Sequence, residues 1–446
     1  MAQCRGAGPE MSGPSGDGPV SRLSERLWTG NIDISGPDHP VQASGFMSEE
    51  ISPGVFVYLS LASATALETG DGLVLLDSGG PFDVAPLFDH VRAWRPRSRL
   101  AAAVFSHHHL DHVFGTARFE AESTEQGWPA PVVYGHHDLH ANFDRYVKTR
   151  GFNTAINVRQ FALEGLEGFS WPEHWRHPDV TYDVGMTVTH GGLTFELHHA
   201  RGETDDATWT WIPELKLLHP GDLFIWAVPN AGNPQKVQRY AGEWAVALRA
   251  MASLGAEVMV TGHGAPVIGS TRIHQALSDT AELLESLEQQ TLALMNQGVA
   301  LDRVLHEVSM PDHLSDRPYL QPVYDHPQFI VRNIWRLYGG WYDGDPDQLL
   351  PASRAEQARE WVSLAGGVST VLDRVRALSA SGELQLAAHL VETAYYADPD
   401  AAEVHQLRAE VYEARAAAER SSMAANLFNH AALASRQGKR DLAEKG

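Results

Sequence analysis

Short apolar runs bounded by turn residues fill the chain between residues 54 and 261. Runs of this length predict strands, and two pairs of them fold back in hairpins, at Gly191-Gly192 and at Pro213-Glu214. Two longer stretches with helical periodicity, residues 83–94 and 237–254, lie between the strands. Hairpins mixed with helices predict an α/β sandwich of two mixed sheets. The predicted strands cover residues 54–61, 72–77, 100–105, 131–135, 187–197, 208–218 and 256–261.

The pattern changes after residue 270. An apolar stripe with helical spacing runs to a stop at Gly298, through Ile273, Leu277, Ala281, Leu284, Leu287 and Leu294. The remaining sequence is almost entirely helical in pattern, whereas residues 1–22 are rich in Gly, Pro and Ser and predict disorder. The chain therefore divides into a disordered leader over 1–22, an α/β domain over 23–270 and an all-α domain over 271–446.

Charge and composition narrow the possible partners. The chain has 34 basic and 56 acidic residues, a net charge of −22, which argues against a nucleic-acid or anionic-membrane partner. No apolar run is long enough to span a membrane, and residues 1–22 lack the apolar core of a secretory signal. The single Cys4 cannot form an internal disulfide, so we expect a cytoplasmic protein. An anionic substrate stays open, because bound metal ions would supply local positive charge.

The most informative segment follows the strand predicted over 100–105. It holds four potential metal ligands in the pattern His-x-His-x-Asp-His, namely His107, His109, Asp111 and His112. Imidazole and carboxylate suit Zn²⁺ and its first-row neighbours. Residues two apart in extended chain point the same way, so His107 and His109 can bind one ion together. A turn at Leu110 then directs Asp111 and His112 elsewhere, toward a second ion.

Three further predicted strands end beside a potential ligand. Glu203 follows the first hairpin and the sequence His199-Ala-Arg-Gly202, Asp222 follows the second hairpin, and His263 follows the strand over 256–261. Glycines next to each allow the backbone to approach closely. Taken singly, each could be a turn or capping residue, but together with the histidine motif they match one architecture.

In this order the residues resemble the metallo-β-lactamase superfamily, from about residue 45 to 270. The resemblance implies an αββα sandwich with two Zn²⁺ ions. It assigns His107 and His109 to the first ion, Asp111, His112 and His263 to the second, and Asp222 to both. Asp77 matches an acidic position that usually supports the ligands from behind.

Where most members of the superfamily place a histidine ligand, this chain has Glu203. A carboxylate there resembles the alkyl sulfatase branch, and residues 295–298, 323–325 and 331–346 resemble the helical dimerisation domain of that branch. The resemblance implies a homodimer formed through the helical domain. The aromatic residues at 335, 338, 341 and 342 agree, since aromatics are enriched at association surfaces, although they could instead pack on the chain's own catalytic domain.

Two positions depart from the alkyl sulfatase pattern. Alkyl sulfatases have Glu where this chain has Asp222, and they bind sulfate through an Asn and an Arg in the segment that follows. Here Asn230 or Asn233 could supply the amide, and Lys236 or Arg239 the cation. Alternatively, both cations lie on the solvated face of the next helix.

Two open assignments concern the residues around Glu203. His199 is a candidate pocket acid and, with Asp111, a predicted catalytic residue. Asp205 or Asp206 could replace Glu203 as the ligand if the alignment slips by a residue or two.

These residues predict a hydrolase in which a hydroxide between two metal ions attacks a small ester. The resemblance implies that this ester is an alkyl sulfate. Fe or Mn could replace Zn²⁺. The alternatives are a phosphodiesterase, lactonase or thioesterase on the same fold, or a di-iron oxidoreductase, because carboxylate ligands favour iron.

Overall fold

The computed structural model describes residues 18–33, 36, 39, 46–166 and 168–442. The chain forms two compact units. The first unit contains the chain up to Lys148 together with Pro172–Trp341, and the second contains Thr149–Trp171 together with the chain from Tyr342 onward.

The first unit contains a seven-stranded sheet whose strands lie in chain order. They are β1 (Met47–Ser52), β2 (Val55–Leu59), β3 (Ser63–Thr69), β4 (Gly72–Leu76), β5 (Leu100–Val104), β6 (Val132–His136) and β7 (Val180–Tyr182). Neighbours from β1 to β4 pair antiparallel, and those from β4 to β7 pair parallel. In β2, Val55 and Val57 enter one core and Phe56 and Tyr58 another. Both faces of the strand are buried, which explains its uninterrupted apolar sequence.

A six-stranded sheet packs against the first across the core that contains Val55 and Val57. Its strands are β8 (Gly185–His190), β9 (Leu193–His199), β10 (Thr208–Ile212), β11 (Leu217–His219), β12 (Val258–Met259) and β13 (Val267–Ile268), in sequential order across the sheet. All neighbours are antiparallel except β11 and β12. The predicted hairpin at Gly191-Gly192 is confirmed, and both glycines have the positive φ that such a tight turn requires.

Helices of the first unit cover the outer face of each sheet. In chain order, the helices of both units are α1 (Pro19–Trp28), α2 (Val84–Trp94), α3 (Thr116–Gln126), α4 (Leu139–Lys148), α5 (Arg150–Phe161), α6 (Ala241–Ala252), α7 (Ser270–Met295), α8 (Leu301–Glu307), α9 (Pro327–Gly339), α10 (Arg354–Leu364), α11 (Val368–Ala380), α12 (Leu384–Ala397), α13 (Ala402–Ala418) and α14 (Ser422–Arg436). Leu87 of α2 and Phe119 of α3 pack on the first sheet, and Trp244 of α6 and Leu277 of α7 belong to the core of the second. The predicted αββα sandwich followed by helices is confirmed.

Two boundaries differ from those that the sequence predicted. Helices α7 to α9, which follow residue 270, belong to the first unit, because Ile273, Leu284 and Ile330 share its core. At the other end, residues 1–17 and Cys4 lie outside the described residues, whereas residues 19–22 of the predicted leader form the first turn of α1.

The second unit contains α5 and α10 to α14. Its core forms where apolar faces of α11, α12 and α13 meet, through Val375, Val391, Leu407 and their neighbours. In the part of the chain that the structure describes, no helix has the length and hydropathy needed to cross a membrane. The cytoplasmic location stays a prediction.

Candidate metal centre

The predicted ligands all lie just beyond strand ends. Asp77 follows β4 and the 106–112 segment follows β5, so both lie at the same edge of the parallel part of the first sheet. Glu203 follows β9, Asp222 lies in a 3₁₀ turn after β11, and His263 follows β12. Because β11 and β12 are parallel, Asp222 and His263 also share one edge. The fold therefore gathers ligands that are far apart in sequence.

Six of the seven predicted ligands form two groups. His107, His109 and Asp222 place one ligand atom each within 4.8 Å of one another, and so do Asp111, His112 and His263. Asp222 lies between the groups: Oδ2 is 3.7 Å from Nε2 of His107 and 3.2 Å from Nε2 of His263, while Oδ1 is 3.4 Å from Nε2 of His112. This is the position expected of a carboxylate shared by two ions.

The seventh ligand, Glu203, lies beside the first group. Its Oε1 is 3.6 Å from Nδ1 of His109, and its side chain is buried. Its assignment to the first ion stays a prediction.

Unpaired polar atoms show that the residues fit metal ions. Among the described residues, Nε2 of His107, Nε2 of His112, Oε2 of Glu203 and Oδ1 of Asp222 are buried and have no hydrogen-bond partner. A buried polar atom left unpaired is costly, and a bound metal ion would give such atoms a partner. Gly262 leaves room for Asp222, since a Cβ there would lie 2.1 Å from Oδ1.

Asp77 binds the segment 106–112, which carries the histidine motif, through three hydrogen bonds. Its Oδ1 accepts a hydrogen bond from the backbone N–H of Ser106 at 2.7 Å, and its Oδ2 accepts one from the Ser106 hydroxyl at 2.7 Å. The same Oδ2 accepts from Nδ1 of His112 at 2.8 Å. Asp77 has a φ of 54°, a strained conformation that Asp tolerates better than most residues. These hydrogen bonds are contacts through which Asp77 can support the candidate ligands, which is the role that the resemblance implied.

The two groups differ in electrostatic character. Burial lowers the pKa of His107 to about 4 and that of His109 well below its ordinary value, which leaves the neutral imidazoles that metal ions bind. Burial also opposes protonation of His263, but the Asp222 and Asp111 carboxylates outweigh it and raise its pKa to about 9. The second group therefore attracts positive charge, as a cation site should.

Two predicted substrate residues converge on Glu203. Nδ2 of Asn230 donates a hydrogen bond to Oε1 of Glu203, and Nη1 of Arg239 lies 3.1 Å from the same oxygen. Arg239 also donates to the backbone carbonyl of Glu203. Its side chain is 1% exposed, so a position on the solvated face of the next helix is wrong for Arg239. Burial raises the pKa of Glu203 to about 8, although Arg239 opposes the shift.

The other two candidates on this segment are placed differently. Oδ1 of Asn233 accepts a hydrogen bond from the backbone N–H of Gln235 at 3.1 Å, while Nδ2 is buried without a partner among the described residues. Burial, with a contribution from Arg239, lowers the pKa of Lys236 to about 7. A substrate role for either stays a prediction.

The middle histidine of the motif points away from the ligand groups. Nδ1 of His108 donates to the buried Asp206 at 2.9 Å, and Asn142 donates to both Asp205 and Asp206. The carboxylate of Asp206 therefore already has partners. Nε2 of His199 donates to the backbone carbonyl of Asp205 at 2.8 Å, and its ring stacks on His136. Its role as a pocket acid stays a prediction.

The sequence patterns did not single out three residues that support the site. They are Ser106, Asp325 and Asn333, whose side chains all contact segments that carry candidate residues. Asp206 was considered only as an alternative ligand, whereas its carboxylate pairs with His108. The available signal was position: Ser106 directly precedes the motif, and Asp325 and Asn333 lie in stretches that resemble a known family.

Comparisons with known families agree with both parts of the chain. Residues 57–263 match the model of the metallo-beta-lactamase superfamily, and residues 300–438 match the model of alkyl sulfatase dimerisation. The second match begins inside the first compact unit, before α8.

Curated relatives are alkylsulfatases. A linear primary-alkylsulfatase from a Pseudomonas species is 27% identical over 363 residues, which is 75% of this chain and 66% of the relative. An (R)-specific secondary-alkylsulfatase from Pseudomonas is 26% identical over 415 residues, which is 87% of this chain and 62% of the relative. The chain thus spans somewhat less than two thirds of the length of these relatives.

A solved structure shares the fold. A stereoselective inverting sec-alkylsulfatase from Pseudomonas superposes with a TM-score of 0.80 at 24% identity, covering 89% of this chain and 66% of the other.

Proposed function

We propose that this chain, which joins a metallo-beta-lactamase superfamily domain to an alkyl sulfatase dimerisation domain, hydrolyses alkyl sulfate esters with two divalent metal ions. The observation that carries the proposal is the pair of three-residue groups that meet at Asp222. The curated relatives, which are named as alkylsulfatases, support the choice of sulfate esters.

Zn²⁺ fits this donor set best, since mixed imidazole and carboxylate ligands are typical of its catalytic sites, although Fe or Mn also accepts such ligands. His107, His109 and Glu203 would hold the first ion, Asp111, His112 and His263 the second, and Asp222 both. When bound, the ions supply an acidified water as nucleophile and positive charge that stabilises the transition state. No Ser or Cys nucleophile is needed.

Arg239 and Asn230 would bind the sulfate group. Both contact the carboxylate of Glu203, next to the first ligand group, so a sulfate held by them would lie beside that group. The planar guanidinium of Arg239 can donate two parallel hydrogen bonds to a tetrahedral oxyanion. Its burial strengthens that interaction, because water does not compete with it.

Asp111 would move protons at the site. Its side chain is 26% exposed, more than that of Asp222 or Glu203, and Oδ2 lies 3.6 Å from Nε2 of His263. A carboxylate at the edge of the ligand groups can exchange a proton with solvent while the buried ligands stay in place.

The experiment that tests the function is a panel of esters given to the metal-loaded protein. It spans linear and secondary alkyl sulfates, aryl sulfates, phosphodiesters, lactones and thioesters. We expect release of inorganic sulfate from alkyl sulfates with the highest kcat/KM of the panel. A higher kcat/KM for a phosphodiester, lactone or thioester would contradict the proposal, and metal-dependent electron transfer without hydrolysis would favour a di-iron oxidoreductase.

The dimerisation domain supports a homodimer. In the first unit, the aromatic side chain of Trp341 is 73% exposed, and in the second unit that of Trp361 is 64% exposed. Exposed tryptophans are enriched at association surfaces. Light scattering at micromolar concentration should give twice the mass of one 48.9 kDa chain, and the mass of one chain would contradict a dimer.

A further inference from the structure

The segment 228–239, called here the substrate loop, carries the residues proposed to bind sulfate. It follows the turn that holds Asp222 and includes Asn230, Asn233 and Arg239. A loop that recognises an anion must hold its donors still, because any freedom lost on binding weakens the complex. What holds this loop comes from a later part of the chain.

Asp325 holds the centre of the substrate loop. Its carboxylate is fully buried, and Oδ2 accepts hydrogen bonds from the backbone N–H groups of Gly232 at 2.6 Å and Asn233 at 3.3 Å. Oδ1 accepts from the backbone N–H of His326 at 2.7 Å, which fixes the side chain to its own segment. Two of these three hydrogen bonds join segments nearly a hundred residues apart, and the third orients the carboxylate.

Asn333 holds the end of the same loop. Its Nδ2 donates to the backbone carbonyl of Arg239 at 2.9 Å, and its own backbone carbonyl accepts from Nε2 of Gln238 at 3.0 Å. At the other end, the backbone N–H of Val228 donates to the carbonyl of Gln321 at 3.0 Å. The loop is therefore attached at its start, centre and end to one stretch, residues 321–333.

The backbones also touch directly. A Cβ added to Gly232 would lie 2.4 Å from the backbone nitrogen of Ile330 and 2.4 Å from the carbonyl carbon of Phe329. Only glycine permits this approach between the substrate loop and the start of α9. The contact and the hydrogen bonds are independent observations of the same attachment.

We propose that Asp325 and Asn333 are positioning residues that determine how tightly the substrate loop binds the anionic group of the substrate. This role rests on the proposed function. Residues 321–333 match the dimerisation model, yet here they belong to the first unit and support the substrate site. The catalytic domain consequently needs this stretch for substrate recognition, independently of any role in dimer contact.

The test compares four variants of the full chain by hydrogen–deuterium exchange and by kinetics. Asp325→Asn removes an acceptor, and Gly232→Ala forces the backbones apart. Asp71→Asn is the control for the first, since Asp71 also accepts a backbone hydrogen bond, from Gly191 at 2.8 Å, at a hairpin turn. Gly151→Ala is the control for the second, because a Cβ there meets nothing within 4 Å.

We expect both test variants to speed exchange in residues 228–239 and to raise KM for an alkyl sulfate by about tenfold, with kcat and metal content changed much less. The controls should change none of these. Unaltered exchange in 228–239, or a loss of kcat and metal with KM unaltered, would overturn the inference. If the wild-type protein hydrolyses no sulfate ester, the proposed function fails, while the exchange measurement still decides whether Asp325 holds the loop.

Discussion

Oδ2 of Asp77 lies 2.8 Å from Nδ1 of His112, and both side chains are completely buried. The carboxylate fixes the imidazole so that Nδ1 carries the proton and Nε2 faces Asp222. His107 is held in the same way by the Ser106 hydroxyl at 2.9 Å, and His263 by the backbone carbonyl of Leu61 at 2.5 Å. Three candidate ligand histidines thus present Nε2 to the carboxylate of Asp222.

Removing the charge of Asp77 should weaken metal binding without removing a ligand. Asp77→Asn keeps one acceptor oxygen and cannot accept all three hydrogen bonds from Ser106 and His112, so we expect Zn²⁺ affinity to fall by about 10- to 100-fold. Competition with a chromophoric chelator measures this. Asp89→Asn, at an exposed position on α2, is the control and should bind Zn²⁺ like the wild type.

His112 and His108 are neighbours in the motif but should behave oppositely. His112→Ala should lower metal content from about two equivalents to about one, because it removes a ligand of the second group. His108→Ala should retain two equivalents but lose about 3 kcal/mol of stability, since it removes the imidazole that pairs with the buried carboxylate of Asp206. Metal analysis and urea unfolding measure the two effects. If His108→Ala loses metal and His112→Ala does not, then His108 is the metal ligand and His112 is not.

The ligand beyond β9 is tested by two further variants. Glu203→Ala should weaken binding of the first ion more than tenfold, while Asp205→Ala should change it little. Calorimetric titration of metal-free protein with Zn²⁺ resolves the two sites. A larger loss of Zn²⁺ affinity in Asp205→Ala than in Glu203→Ala would show that Asp205 is the ligand.

Asp325 predicts a pH dependence of stability. Burial raises its pKa to about 7, although three backbone hydrogen bonds oppose the shift. Because its pKa in the folded chain lies above the ordinary value, its contribution to stability is complete at low pH and is lost as pH rises through 7. Asparagine does not titrate, so the difference in urea midpoint between the wild type and Asp325→Asn should shrink from pH 5 to pH 8. A difference that is constant over this range would show that Asp325 does not titrate there.

Much of the fold could be predicted because its strands are short apolar runs between turn residues. β3 was missed: Ser63–Thr69 is rich in small residues, and its identity as a strand depends on pairing with β2 and β4. β1 was missed because four of its six residues, at 47–50, are not buried, so no apolar pattern marks it. Both strands depend on neighbours that a local pattern does not contain.

The site could be predicted where chemistry is concentrated in sequence, as in the histidine motif. The contacts of Arg239 and Asn230 with Glu203 could not, because they form between loops about thirty residues apart. The attachment of the substrate loop by Asp325 joins segments even more distant, and no spacing rule links them. Motifs identify ligands, whereas the residues that hold ligands and loops in place become visible only in three dimensions.

The most direct test of the central claim is to titrate metal-free protein with Zn²⁺ while measuring release of inorganic sulfate from a linear alkyl sulfate. The account predicts no release without metal and a rate that rises until about two equivalents are bound per chain. A full rate at one equivalent, a rate independent of added metal, or no release at two equivalents would contradict it.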